Sequence, residues 1–119
     1  MKFSDSIKSN GDFREIYSTG KSYANKYLIM YVKSNDTDYN RIGISVSKKV
    51  GNSVVRHRIT RLIRESYRLS EDSFLRGLDI VVVAREGARD RSYSEIESAL
   101  LHLRKLHKIG NHSVLSDQI

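Results

Sequence analysis

The sequence predicts an α+β domain in which helices cover a small mixed sheet. Three observations predict this class. Apolar residues recur at helical spacing in three segments, and they alternate or run continuously in three others. The two kinds of segment follow one another in the order α-β-β-α-β-α. A length of 119 residues suits a single domain with one core, spanning 1–119, and we expect about 110–119 to form a flexible, aperiodic tail.

The first helix is predicted within the segment SNGDFREIYSTG, residues 9–20. Ser9 or Asn10 can cap its N-terminus, and Gly20 ends it. Its apolar residues recur at i, i+3 and i+4 on one face, namely Phe13, Ile16 and Tyr17.

Two strands are predicted next, and residue alternation defines their faces. The first covers 21–34, with one face carrying Tyr23, Tyr27, Ile29 and Tyr31 and the other Leu28, Met30 and Val32. The second covers 41–47, where Ile42, Ile44 and Val46 alternate with small residues that leave an open face, namely Gly43, Ser45 and Ser47. A short turn joins these strands, so we expect them to pair as a hairpin.

The second helix follows the turn KKVGN, with Asn52 or Ser53 as its cap. One arc is apolar and is expected to dock on the sheet through Val55, Ile59, Leu62, Ile63 and Leu69. The opposite arc is cationic and carries His57, Arg61, Arg64 and Arg68, with Arg58 at its margin. The segment Lys48–Arg68 has seven basic residues and one acid, a net +6 in a chain of +7.

The last two elements are a central strand and a helix. The run LDIVVVAR is apolar enough for a strand that is buried on both faces. The segment SYSEIESALLHLRKLHK offers Ser94 and Glu97 as a capping box. Its buried stripe is predicted to be Ile96, Ala99, Leu100 and Leu103.

The concentrated positive charge indicates a polyanionic partner. A pI near 9.8 favours nucleic acid over an anionic membrane surface. Glu65 is the one acid within Lys48–Arg68 and stands at i+4 to Arg61 alone, so i, i+4 pairing does not explain the cluster. The alternative is a solvated face with arginine used as a helix former. A DNA-reading helix-turn-helix needs a preceding helix, and a nucleotide loop needs a different glycine spacing.

Several classes of site have little support in the composition. There is no cysteine, so disulfides, thiolate catalysis and cysteine zinc sites are excluded. Four histidines form no convincing metal-ligand pair, and no acid–base cluster marks a catalytic residue; Asp79 and Glu86 are expected to be structural. The N-terminus lacks a secretory apolar region, and no apolar run could span a bilayer, so we expect a cytoplasmic protein with no membrane partner.

The tyrosines suggest a second surface. Tyr23, Tyr27 and Tyr31 share a strand face in the predicted pattern, and the first helix adds Phe13 and Tyr17. Such rings either pack together as core or stack on unpaired bases. The small residues of the neighbouring strand would leave room for single-stranded RNA.

The central motif resembles the signature of the bacterial ribonuclease P protein subunit. The segment SVSKKVGNSVVRHRITRLIRE, residues 45–65, carries the resemblance. It extends to NGDFREIYSTGKSYAN and DIVVVARE, and so covers roughly residues 9–105. Two positions depart from the pattern: His57 replaces the usual asparagine, and Thr60 a frequent basic residue. Histidine can still donate a hydrogen bond, so RNA binding is expected to be retained.

The resemblance implies both a fold and a function. The fold is the ribosomal protein S5 domain 2-like one, whose βαβ unit crosses over with the left hand, against the general rule. The function is that of the protein subunit of ribonuclease P, an endoribonuclease that removes the 5′ leader of precursor tRNA. The catalytic RNA subunit carries the chemistry with Mg²⁺ that it mainly holds itself. The partners are therefore that RNA and precursor tRNA, with no protein partner required.

The resemblance also implies two sets of site residues. Residues facing the RNA subunit would be Lys48, Lys49, Asn52, Arg56, His57, Arg58, Arg61, Arg64 and Arg68. Residues facing the leader would be Phe13, Tyr17, Tyr31, Ser47 and Arg85. The competing classes are a plain RNA-binding module with the same layout and a nuclease acting alone. The second lacks a carboxylate or acid–base cluster.

Overall fold

A computed structural model describes residues 1–111 of the chain. Within these residues it places five strands in one sheet, with three helices packed around it. The strands are β1 (Ser4–Ser6), β2 (Lys21–Ala24), β3 (Leu28–Ser34), β4 (Asn40–Ser45) and β5 (Leu78–Ala84). The helices are α1 (Asn10–Thr19), α2 (Ser53–Ser70) and α3 (Tyr93–His107), and two short 3₁₀ turns cover Glu71–Ser73 and Glu86–Ala88.

The sheet is mixed, and its strand order is β1-β4-β5-β3-β2. β4 pairs in parallel with β1 and β5, whereas β3 pairs antiparallel with β5 and β2. α2 joins the parallel neighbours β4 and β5, and this crossover is the left-handed one that the resemblance implied. The predicted α+β class is confirmed.

The predicted hairpin between the strands at 21–34 and 41–47 is wrong. β5 lies between β3 and β4, so the two predicted partners do not pair with each other. The reason is the apolar character of β5, since Ile80, Val81 and Val82 are all fully buried and need cover on both faces. The central position of the sheet supplies that cover, and a short turn between β3 and β4 does not prevent it.

Two features of the strands were not predicted from the sequence. The segment predicted as one strand is divided into β2 and β3, because the Asn25 side-chain oxygen accepts hydrogen bonds from the backbone N–H groups of Tyr27 and Leu28 and forms a turn. β1 has only three residues, too few for alternation to mark it.

Two clusters of buried side chains occupy the two faces of the sheet. The main core lies under α2 and α3, where Ile59, Ile63 and Leu100 are fully buried. The second cluster lies under α1 and contains Ile16 and Val81. α1 therefore covers one face alone, and the aromatic residues of α1 lie on the face opposite the basic helix.

The apolar arc of α2 is confirmed except at its end. Val55 and Leu62 are half-buried beside the buried residues, but Leu69 is 59% exposed. Leu69 projects about 100° from the centre of the buried arc, at a rotation of ~100° per residue. Tyr67 fills the core there instead, with its ring 5.0 Å from that of Phe74.

α3 begins two residues earlier than its predicted capping box implied. Ser92 is the N-cap, and its hydroxyl accepts from the Glu95 N–H while the Glu95 carboxylate accepts from the Ser92 N–H. The Ser94–Glu97 box is therefore wrong, because Glu97 instead accepts a hydrogen bond from the Tyr93 hydroxyl. The predicted buried stripe of this helix is confirmed.

The chain beyond α3 is held in place for its first residues. Gly110 pairs with Phe74, and the Asn111 N–H donates to the Ser73 carbonyl at 2.7 Å. These two residues are the first of the predicted tail, which was expected to begin at about 110. The rest of that predicted tail, 112–119, lies outside the described residues. Among residues 1–111, none of the helices is long and apolar enough to cross a membrane.

Asn52 is the N-cap of α2, and its removal gives a first testable prediction. Its side-chain oxygen accepts from the Val55 N–H at 3.0 Å. Asn52→Ala should lower the free energy of unfolding by ~0.5–2 kcal/mol because this N–H loses its partner. Urea unfolding measures the change, with Ser53→Ala as the matched control that should have a smaller effect. Equal stability of Asn52→Ala and the parent would contradict the capping role.

Candidate nucleic-acid interface

The outward side of α2 forms a surface that we call the basic face. It consists of the exposed residues His57, Arg58, Arg61 and Arg64. The opposite side of the same helix is fixed on the sheet through Ile59 and Ile63. Within residues 1–111, neither Arg61 nor Arg64 forms an ion pair. Their guanidinium groups are therefore available to an external anion.

Arg68 differs from the other arginines of the outer arc. Its Nε donates to Glu65 Oε2 at 2.9 Å, and its second nitrogen reaches the other carboxylate oxygen. The hydrogen bond from Arg68 holds the pKa of Glu65 below its ordinary value. Intrahelical pairing thus accounts for Arg68 through an i, i+3 contact, which an i, i+4 spacing does not reveal.

The other residues predicted to contact the RNA subunit differ in their exposure and in their hydrogen-bond partners. Lys48 and Lys49 are exposed in the turn that precedes α2. Arg56 is half-buried, and its buried Nε has no hydrogen-bond partner among the described residues. Arg58 donates to the Arg91 carbonyl at 3.0 Å, which ties the helix to the segment before α3. The side-chain oxygen of Asn52 is used by the cap.

A second surface lies between α1 and the sheet, and we call it the aromatic groove. Phe13, Tyr17 and Tyr31 meet there, with 5.0 Å between the Tyr17 and Tyr31 ring centroids in an edge-to-face arrangement. The Phe13 and Tyr17 centroids are 6.3 Å apart. A groove of about 630 Å³ opens beside Phe13 and Tyr17 and reaches Ser45. Tyr17 is 37% exposed, so it offers ring surface to a ligand.

Gly43 is not open as expected, because Phe13 covers it. A side-chain carbon at position 43 would lie 2.7 Å from the Phe13 ring. The strand therefore needs glycine here, where an aromatic ring approaches the backbone closely. Phe13 is partly a core residue of the second cluster, and the open part of the face begins at Ser45.

Tyr23 and Tyr27 do not belong to this surface. Tyr23 pairs in register with Met30, so it lies on the main-core face, where its ring meets His107 at 4.7 Å. Tyr27 lies beneath the Arg91 guanidinium at 5.3 Å. The predicted tyrosine face is therefore wrong for these two, because the Asn25 turn changes which side of the sheet each residue faces.

Ser47 and Arg85 lie beyond the strand ends. Both follow parallel strands, β4 and β5, and so lie at the same edge of the sheet. Arg85 donates to the Asn25 carbonyl at 2.8 Å, which directs its guanidinium to the β2–β3 turn. The structure thus brings three of the five predicted leader residues together and places the other two at one edge.

An ion-pair cluster fixes α1 against the sheet at one end of the aromatic groove. Arg41 Nε donates to Asp79 Oδ1 at 2.9 Å, and its NH1 nitrogen donates to Asp12 of α1 at 3.1 Å. Burial alone would raise the pKa of Asp79, but the hydrogen bonds from Arg41 and Asn35 and the charges of Arg41 and Lys33 together outweigh it and lower that pKa. The pairing raises the pKa of Arg41. Asp79 therefore has the structural role that was predicted.

Two residues beside these surfaces were not predicted from the sequence. Arg14 is exposed and lines the aromatic groove next to Phe13. Its position three residues before Tyr17 was a signal that could have revealed it. Tyr93 lies against the basic face, near Arg58 and Arg61. No sequence pattern indicates this contact, since it depends on how α3 packs beside α2. Within residues 1–111, no group of three or more histidine, aspartate or glutamate side chains lies together as a metal site.

Comparison with known proteins gives consistent matches over nearly the whole described chain. The family Ribonuclease P matches residues 1–108. A "Ribonuclease P protein component" of Lachnoclostridium phytofermentans is 64% identical over 106 residues, which cover 89% of this chain and 91% of that protein. A protein of the same description from Alkaliphilus metalliredigens is 52% identical over 109 residues, covering 92% and 98%.

Solved structures show the same similarity in three dimensions. The RNase P protein of Staphylococcus aureus superposes with a TM-score of 0.82 at 42% identity, covering 89% of this chain and 97% of that one. The RNase P protein of Thermotoga maritima gives a TM-score of 0.78 at 30% identity, with coverage of 83% and 94%.

Proposed function

The chain belongs to the ribonuclease P protein family, and from this membership we propose how its two surfaces divide the binding of two RNAs. The protein is a component of the ribonucleoprotein that cleaves the 5′ leader from precursor tRNA, and the RNA subunit is catalytic. The protein associates with the RNA subunit, so one of its surfaces must serve that contact. The substrate bound by the other surface is precursor tRNA.

The basic face binds the RNA subunit in this proposal. The observation that carries the proposal is the pair of exposed, unpaired arginines, Arg61 and Arg64, on a helix whose other side is docked. A guanidinium group can donate two parallel hydrogen bonds to two oxygens of one phosphate. The helix holds the two arginines at a fixed spacing. The contributing residues are Lys48, Lys49, Asn52, Arg56, His57, Arg58, Arg61 and Arg64, with Arg68 at the end of the surface.

The aromatic groove binds the single-stranded leader. Tyr17 offers an exposed ring, Phe13 and Tyr31 support it, and Arg14 supplies a cation for the backbone. Aromatic rings with a nearby positive charge bind unpaired nucleotides with little sequence preference. Ser47 and Arg85 would contact the strand farther along, at the sheet edge.

Magnesium is assigned mainly to the RNA subunit. The donor set of residues 1–111 supports this, since it brings together no cluster of three acidic or histidine side chains. Mg²⁺ prefers oxygen ligands and often keeps substrate phosphates among them, which RNA supplies. When bound, such ions would supply activation of a water nucleophile and stabilisation of charge on the leaving oxygen. The side chains of this protein bind and orient RNA in that reaction.

Reconstitution tests the proposed function. The purified protein alone should not cleave precursor tRNA, and cleavage at low magnesium should require both the protein and its cognate RNA subunit. The comparison is the initial rate with protein alone, RNA alone and both together. Cleavage by the protein alone would identify a nuclease acting by itself. Failure of the protein to stimulate the RNA would favour a plain RNA-binding module.

The leader contact is tested most directly at Tyr17, because Tyr31 is half-buried and also supports the second cluster. Tyr17→Ala should weaken precursor tRNA binding to the assembled enzyme by ~1–3 kcal/mol through loss of stacking. Binding of mature tRNA, which lacks the leader, should be unchanged. Tyr17→Phe is the control and should retain the precursor preference. If Tyr17→Ala leaves the ratio of the two affinities unaltered, the leader lies elsewhere.

A further inference from the structure

A separate groove lies between α2 and the first turn of α3. It encloses about 440 Å³ and is lined by Arg58, Arg61, Leu62, Arg64, Glu65 and Tyr93. Leu62 and Tyr93 are half-buried, whereas the three arginines are exposed at the rim. The groove therefore combines apolar and aromatic surface with a cationic border, which a surface that contacts only phosphates does not need.

The charges around the groove are unbalanced in favour of an anion. Glu65 is the one carboxylate among its lining residues, and Arg68 occupies both of its oxygens. Arg58 is held at one border by its bond to the Arg91 carbonyl. Arg61 and Arg64 have no ion-pair partner within residues 1–111. Positive charge thus remains on the border after all internal pairs are formed.

The Tyr93 ring is held in a fixed orientation. Its hydroxyl donates to Glu97 Oε2 at 2.8 Å, one helical turn along α3. Burial and this bond raise the pKa of Tyr93. The ring is therefore neutral and restrained, and stacking on it costs little conformational entropy.

We propose that this α2–α3 groove takes one unpaired base of the RNA subunit, stacked on Tyr93 while Arg61 and Arg64 hold the flanking phosphates. The inference rests on the proposed function, since it assigns a subsite within the surface that binds the RNA subunit. A continuous duplex presents mainly phosphates and sugars to a protein, whereas an unpaired base can leave the stack and fill an apolar recess. Tyr93 thereby recognises a bulge or loop, and the arginines recognise its backbone.

Substitutions at Tyr93 separate stacking from charge. Tyr93→Ala should weaken binding of the RNA subunit by about 5- to 150-fold, the loss expected for one stacked base. The slope of log K against log salt should stay at the parent value, because no phosphate contact is removed. Tyr93→Phe keeps the ring and should bind within about twofold of the parent, whereas Tyr93→Leu keeps apolar volume and should bind like the alanine variant.

A fluorescent reporter provides a second measurement that does not depend on the alanine variant folding. The chain contains no tryptophan, so Tyr93→Trp introduces a single indole. Titration with the RNA subunit should quench its emission, because the indole stacks on the base. Tyr39→Trp is the matched control, at a residue that is 38% exposed and lies in the β3–β4 connection, and its emission should stay nearly constant.

The outcomes separate this inference from the function on which it rests. Weaker binding by the alanine and leucine variants, with quenching at position 93, supports the base subsite. Parent-like affinity for Tyr93→Ala together with unquenched Tyr93→Trp overturns the subsite but leaves the proposed function intact. Failure of the parent protein to bind the RNA subunit overturns both. A reduced salt slope in Tyr93→Ala would overturn stacking in favour of a displaced phosphate contact.

Discussion

Arg61→Ala combined with Arg64→Ala should weaken assembly with the RNA subunit by at least 100-fold while the protein stays folded. Each lost charge-assisted hydrogen bond is worth ~1.5–3 kcal/mol. Both side chains are exposed and opposite the buried arc, so stability should change by no more than about 0.5 kcal/mol per site. The measurements are the dissociation constant for the RNA subunit and the urea midpoint.

Salt dependence provides an independent measure of the same contact. If ~4–6 phosphates are neutralised, the slope of log K against log salt should be about −4 to −5, and the double variant should be less steep by about 2. Arg68→Ala is the matched control, because the Arg68 guanidinium is already paired with Glu65. This variant should lose less affinity for the RNA subunit than the double variant. Normal assembly of the double variant would show that the basic face contacts something else.

Glu71→Gln should cause a large loss of stability, about 3 kcal/mol. Glu71 is 3% exposed and accepts hydrogen bonds from the Lys2 N–H at 2.7 Å, the Phe3 N–H at 3.1 Å and the Ser4 hydroxyl at 2.6 Å. The glutamine amide has only one acceptor oxygen, and its NH₂ group would face N–H or O–H donors. At least one of these buried donors would therefore lose its acceptor. Asp72→Asn, at an exposed carboxylate paired with Lys2, is the control and should change stability little.

The Glu71 carboxylate also makes the free energy of unfolding depend on pH. Burial alone would raise the pKa of Glu71, but its hydrogen bonds from Ser4, Lys2 and Phe3 together lower it below the ordinary 4.5. A lowered pKa means that this contribution is complete above about pH 4.5 and is lost as the pH falls through the folded-state value. Urea unfolding from pH 7 to pH 3 should therefore show a smaller acid loss in Glu71→Gln. Parallel curves for variant and parent would rule out this role.

The helices were predictable because their signals are local. The periodicity of α2 and α3 depends on residues within one or two turns, and Asn52 lies where a cap was expected. The basic face was predictable for the same reason, since one helix carries all its arginines. The pairing of Arg68 was missed because its partner is three residues away rather than four.

The sheet and the grooves were less predictable because they depend on competition between distant segments. The position of β5 between β3 and β4 follows from burial on both faces, which no single segment encodes. The change of face at Asn25 moved Tyr23 and Tyr27 away from Tyr31. The Tyr93 groove requires the packing of two helices that are separated in sequence by a whole strand.

The central place of β5 also sets the point in synthesis at which the sheet can become continuous. Until β5 emerges from the ribosome, β1 and β4 can pair with each other, and so can β2 and β3, but no strand joins the two pairs. The hydrogen bond from the Lys2 N–H to the Glu71 carboxylate likewise forms only after α2 has been synthesised. The sheet therefore becomes continuous only after the arginine-rich helix has been synthesised, because β5 follows α2 in the chain.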